Sequence, residues 1–548
     1  MKIHYTNPIN PNLRANSDIL QLLRKPAGSV KEEDLRNVLS RYNLRNSLIT
    51  LGIASWYIFS SDDPNNIGFA AHREPNTGII VTQFALAYLA NILLISGAND
   101  YKSKYLSEEQ NTEKQYNWTA LCEVYNNYLV QPEYADKGAM NEDKFRSLMV
   151  RMYSEQMPYQ FHPISLIGRT IKIFNELLYK IDTKNFENLT KIFEEATGLS
   201  IYDYLRLATV VWFISKKAAR FNMTMFMPAE EIPKLKDVLN EEKVIRFLNI
   251  LKADYKTFRK KDGQMNKELD PKLTKTRFNP LFIYPIIETD IKNIDAPYIV
   301  PNLSTYVKKA FWGLYWWFHN YFEERGEEQK EFRDYFGSVF QEYVGIILKG
   351  IYGDQNVHSE IIYDKDKKFI DWWVERNNKI YLFEAKASQF ALKSMQTGDK
   401  ELVFKGEIKK IAEAFKQVFK RVQDISKYEE LSLFRNKKII PIIVFMDMPF
   451  VSTDLYKSLI SEALEKFEKE EQVDKLKEFQ IYLMNIEDLE SFDDAAEKIE
   501  LEDVFASLKD YPSVDFISVV SKIRNGNLRN RLLDNTFQDF WGIDRPMI

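Results

Sequence analysis

The stretch Phe369–Ser388, FIDWWVERNNKIYLFEAKAS, decides how the chain is read. Two apolar runs flank Asn377-Asn378, and asparagine tolerates the positive φ of a tight turn. The pattern predicts a hairpin with these two residues at its tip. Arg376 then pairs with Lys379, and stepping down the ladder brings Asp371 opposite Glu384. A four-residue loop over 376–379 keeps this register, whereas an odd loop shifts it by one. Side chains alternate along a strand, so Asp371 shares a face with Phe369 and Trp373, and Glu384 with Ile380, Leu382 and Lys386. Directly opposed Cβ atoms lie roughly 5 Å apart. Two carboxylates so placed repel unless positive charge sits between them. A divalent cation supplies that charge, and Mg²⁺ takes oxygen ligands at roughly 2.1 Å. The main-chain carbonyl of Ala385 could add a ligand, and Lys386 reaches the same space. A coordinated water is acidified, and a lysine can orient it or stabilise charge on phosphorus. The arrangement suits phosphodiester hydrolysis and lacks the histidine or serine machinery of acyl transfer.

Around the hairpin the pattern predicts a mixed sheet. A helix is expected over Glu331–Lys349, strands at Glu360–Tyr363, Phe369–Glu375 and Lys379–Lys386, and a helix over Glu407–Ile425. An apolar strand, Lys437–Asp447, a charged helix, Leu455–Glu478, and a strand within FQIYLMNIEDL follow. Closely spaced strands, a crossover helix and then an apolar strand describe a mixed α/β sheet.

Asp371, a short spacer and Glu384-Ala385-Lys386 on adjacent strands resemble the PD-(D/E)XK nuclease superfamily, with its restriction-endonuclease-like fold. The resemblance covers about residues 330–450. It implies the family's order of helix, three-stranded meander, crossover helix and parallel strand. It also implies Asp371 and Glu384 as metal ligands, Lys386 as the lysine of the motif, Mg²⁺ or Mn²⁺ as cofactor, and DNA as substrate. The family's proline before the aspartate is Ile370 here. Many members carry an acid on the helix before the meander, and Glu342, at the edge of the Tyr335, Val339, Tyr343 and Ile346 stripe, is the candidate. Some use a glutamine and basic residues on the crossover helix. Here those would be Gln417 and Lys416, with Lys409 and Lys420 on the same polar side. A charged helix face is otherwise simply solvated. Family habit alone suggests defence against foreign DNA.

The whole chain has 548 residues, which predicts two or three domains. Its net charge of −4 leaves phosphate attraction to a local patch. The single cysteine, Cys122, allows no intramolecular disulfide or thiolate cluster and fits a reducing compartment such as the cytoplasm. The opening MKIHYTNPINPNLRANSD lacks the apolar core of a signal peptide. Ile79–Gly97 reads as a strand end leading into a buried helix rather than a membrane span.

Residues 1–305 read as a mostly α-helical module serving as sensor, binding surface or oligomerisation element, and 306–548 as the nuclease-like domain. Helices are expected around Arg45–Ser60, Tyr116–Val130, Glu142–Gln156, Ser165–Ile181 and Tyr202–Phe221. Ser29 and Glu32 suggest a capping box. Arg259–Pro280 reads as an exposed basic connector. The five histidines have no zinc spacing, and no Walker A loop, GxGxxG turn or GxSxG elbow appears. The alternative to a nuclease is a nuclease-like fold without catalysis, acting as a platform for nucleic acid or a protein partner. RNA is the alternative substrate.

Overall fold

The computed structural model describes residues 13, 15–60, 65–67, 70–106, 117–129, 155, 157–159, 161–181, 188–226, 240–270, 275–291, 294–326, 328–387, 409–446, 461, 464–465, 473–476, 479–510, 516, 519–520 and 530–542. The chain is an α+β protein that divides into two compact units. The first comprises the described residues of Met1–Phe145, Glu155–Phe161 and Leu189–Trp316. The second comprises those of His162–Asn188 and Trp317–Ile548. The division thus falls at Trp316/Trp317 rather than 305/306, and the second unit recruits a segment from the half read as a separate module. Packing explains the recruitment. Pro163–Lys180 runs as continuous helix and buries Leu166, Ile167, Ile171, Ile173 and Phe174. Phe174 stacks on Phe318, and Arg169 forms a buried ion pair with Glu490.

The first unit is built on Gln83–Ile95, a helix buried almost all round, with Thr82 capping the Ala85 N–H. Ile80–Thr82 is the expected strand end before it. Arg259 donates to the Leu94 and Ala98 carbonyls at this helix's C-terminal end, where cations and donors are favoured. The Arg259–Pro280 stretch is therefore not an inter-domain connector. It begins inside the helix Tyr255–Met265 and closes back through the Asn266 side chain on the Phe278 carbonyl. The helical reading also missed two small sheets. One joins Asn66–Ile67, Ala71–Arg73 and Ile80–Thr82. The other orders Arg220–Phe221, Tyr298–Ile299, Ile286–Glu288 and Lys252–Asp254. At the first capping site Asp34, not Glu32, accepts the Lys31 N–H, and Ser29 bonds to the Pro26 carbonyl instead. Among the described residues no helix is long and apolar enough to cross a membrane. The expected helix at 142–156 and most of that at 455–478 lie outside the described residues.

The second unit holds a five-stranded mixed sheet. Its elements are α1 (Glu328–Tyr352), β1 (Val357–Ser359), β2 (Trp372–Arg376), β3 (Lys379–Lys386), α2 (Lys409–Asp424), β4 (Lys438–Phe445) and β5 (Tyr482–Asn485). β1, β2 and β3 form an antiparallel meander, and β4 and β5 continue it in parallel. The third meander strand is Val357–Ser359, not Glu360–Tyr363. Ile362–Tyr363 pairs instead with Lys367–Lys368 in a ribbon of its own. Asn377 and Asn378 take φ of 50° and 59°, the left-handed pair a two-residue hairpin turn requires. Arg376 pairs with Lys379 and Trp372 with Phe383, which is the register read from the sequence.

Each face of the sheet has its own cover. Ile380 and Leu382 of β3 join Trp373, Phe369 and Ile443 in one core with Ile411, Phe415 and Val418 of α2. The opposite face carries Trp372, whose ring lies against Gly345 of α1, where an added Cβ would sit 2.1 Å from the Trp372 Cζ2. The Trp372 indole N–H donates to the Gln341 carbonyl at 2.7 Å, fixing α1 to that face. This two-sided cover places the C-terminal end of β3 beneath α2.

Candidate active site

Glu384 sits near the end of β3 on the α2 side and is 2% exposed. Asp371 lies one residue before β2. Its Oδ2 accepts the Ala385 N–H at 2.8 Å, so a side chain takes the main-chain donor just past the last ladder pair, Trp372–Phe383. The carboxylate thereby folds back onto β3 beside Glu384. Burial and then the Glu384 charge push the Asp371 carboxyl up to about 7, against the pull of the Ala385 N–H, Lys386 and Arg421. Each acid is therefore within electrostatic reach of the other.

Two cations answer the pair. Lys386 donates to the Glu384 Oε1 at 2.7 Å and to the Gln417 Oε1 at 3.0 Å. Arg421, one helical turn beyond Gln417, pairs with the Glu384 Oε2. The α2 sequence explains the pairing. Positions 417 and 421 are i and i+4, so they fall on one face of the helix, and that face overlies the end of β3.

The structure thus gathers Asp371, Glu384, Ala385, Lys386 and Gln417 as the sequence suggested, and adds Arg421. Arg421, on the polar side of α2, was not among the candidates drawn from the sequence, although its spacing from Gln417 carried the signal. Glu342 is not gathered. It lies on α1, which covers the Trp372 face, whereas Glu384 and Lys386 face α2. Among the described residues no group of three or more acids, histidines or cysteines is placed to hold a metal ion. Lys409 and Lys420 are exposed, Lys409 lying 3.8 Å from Glu413, and Lys416 is half-buried; none bonds to the two acids. His358 stacks on Trp373 with centroids 4.0 Å apart, and Cys122 is buried in the first unit.

The donors at hand are the Asp371 and Glu384 carboxylates and the Ala385 carbonyl. All are oxygens, as Mg²⁺ and Mn²⁺ prefer, and so small a protein set leaves coordination positions for water. The chemistry of this donor set is that of a hard divalent ion's ligands, with two carboxylates rather than three or more acids among the described residues to hold it. No protein-family model, curated protein or solved structure matches this chain.

Proposed function

We propose that the second unit is a metal-dependent nuclease of PD-(D/E)XK type, with a restriction-endonuclease-like fold, hydrolysing phosphodiester bonds of DNA. The observation that carries the reading is the buried Glu384 facing Asp371 across the hairpin, with Lys386 held beside it by Gln417. Asp371 and Glu384 would hold Mg²⁺ or Mn²⁺. The ion, when bound, would acidify a water and neutralise charge developing on a phosphoryl oxygen. Lys386 would orient the attacking water, and Gln417 would fix the ammonium so that its donors meet that water without rotamer search. Defence against foreign DNA is the biological setting suggested by the resemblance, with the first unit as sensor, binding surface or oligomerisation element.

One observation favours a second reading. Both Glu384 oxygens are already engaged, by Lys386 and Arg421, so the fold is satisfied without a cation. A non-catalytic platform for nucleic acid or protein would look the same. Plasmid nicking separates the two. Wild type should cleave in Mg²⁺ or Mn²⁺ and not in EDTA, and Glu384→Ala and Lys386→Ala should each lose about a hundredfold or more. RNA run in parallel identifies the substrate. Equal nicking by wild type and both variants removes the enzymatic reading.

A further inference from the structure

We propose that Arg421 is a displaceable counter-ion: it holds Glu384 while no divalent cation is bound, and it must release that carboxylate when one enters. The inference rests on the nuclease reading for the identity of the metal ligands.

Glu384 is 2% exposed, so water cannot solvate its charge and a partner must. Lys386 takes Oε1 and Arg421 takes Oε2. With both acids ionised, the site carries Asp371 and Glu384 against the cations Lys386 and Arg421, and its charge is already balanced. A divalent ion on the two carboxylates would leave an excess of two positive charges in a poorly hydrated space. Relief requires one of the resident cations to withdraw. Lys386 is the less free of the two, because it extends from the strand that carries Glu384 and is tied a second time to Gln417. Arg421 reaches across from α2, and among the described residues Glu384 is the carboxylate it pairs with. Its side chain is 16% exposed against 27% for Lys386, so what singles out Arg421 among the described residues is the lack of a second tie like the Gln417 bond, not its exposure. Once withdrawn it stands beside the site as a planar donor suited to a phosphate.

The test is Mn²⁺ alone, titrated by electron paramagnetic resonance or calorimetry into the full chain stripped of metal, with folding checked by circular dichroism. Arg421→Gln removes the competing charge and should bind Mn²⁺ about tenfold more tightly than wild type, the effect of losing one charge-assisted hydrogen bond. Arg421→Lys keeps a charge but not the planar reach. It should tighten binding about threefold, by the same reasoning at about half strength, and it carries the test if the glutamine variant does not fold. Glu384→Gln should abolish the binding. A merely structural Arg421 gives the opposite sign, since Glu384, left with Lys386 alone, would be less well placed and bind metal less well. Unchanged or weaker Mn²⁺ binding in a folded Arg421 variant, with Glu384-dependent binding intact in wild type, overturns the exchange and leaves the metal reading standing. No Glu384-dependent binding in wild type or in either Arg421 variant overturns both.

Discussion

Replacing Asp371 by asparagine should make the metal-free protein more stable at neutral and alkaline pH. The side chain is pushed from its ordinary value of 3.8 to about 7 by burial and by Glu384. Between those two values the folded form binds more protons than the unfolded chain. The contribution of Asp371 to wild-type stability is therefore fully present below about pH 4 and is lost as pH rises toward and through 7. At 1.36 kcal/mol per pH unit the loss reaches about 4 kcal/mol at pH 8. The substituted asparagine carries no charge to repel Glu384, and its amide oxygen can still accept the Ala385 N–H. Asp371→Asn should thus gain roughly 2–4 kcal/mol over wild type in EDTA at pH 8, and nothing near pH 4. The assay is urea unfolding followed by circular dichroism, repeated across pH 4–8. Millimolar Mg²⁺ should raise the wild-type midpoint by mass action and leave the variant unmoved. A variant less stable than wild type at pH 8, or a gain that is the same at both ends of the range, would refute the facing of the two acids.

Arg169→Met leaves Glu490 buried without its ion pair, retaining the Tyr343 hydroxyl as donor, and should cost about 3–5 kcal/mol, seen as a lowered unfolding midpoint. Gly345→Ala drives a methyl into the Trp372 ring and should cost about 1–3 kcal/mol, with a shift in tryptophan fluorescence; an unchanged midpoint would mean α1 does not press on that face. Asn378→Val places a branched residue at φ 59° and should cost about 1–2 kcal/mol, whereas Asn378→Gly should not, by the same melting comparison.

The hairpin was legible because two local rules agree there. Asn377 and Asn378 demand a left-handed turn, and the period of two then leaves one register that buries the apolar residues. β1 was not legible: Val-His-Ser carries no alternation, and it is a strand only because Trp373 lies opposite His358. The recruitment of Pro163–Thr170 was hidden for a related reason. Its decisive contact joins Arg169 to Glu490, far apart in the chain, and no local pattern announces a partner so distant. Glu342 and Arg421 mark the boundary between the two cases. Helical periodicity put Glu342 at the edge of an apolar stripe and Arg421 on the polar side of α2, but periodicity does not say which face of the sheet a helix will cover. Once Trp372 is fitted to Gly345, α1 is committed to one face and Glu342 goes with it, while α2 inherits the face of Glu384. A buried carboxylate on that face needs a cation, and the helix above it already displayed one, a turn past the glutamine that steadies Lys386. The charge on a helix is therefore better judged by the sheet position beneath it than by its own polarity.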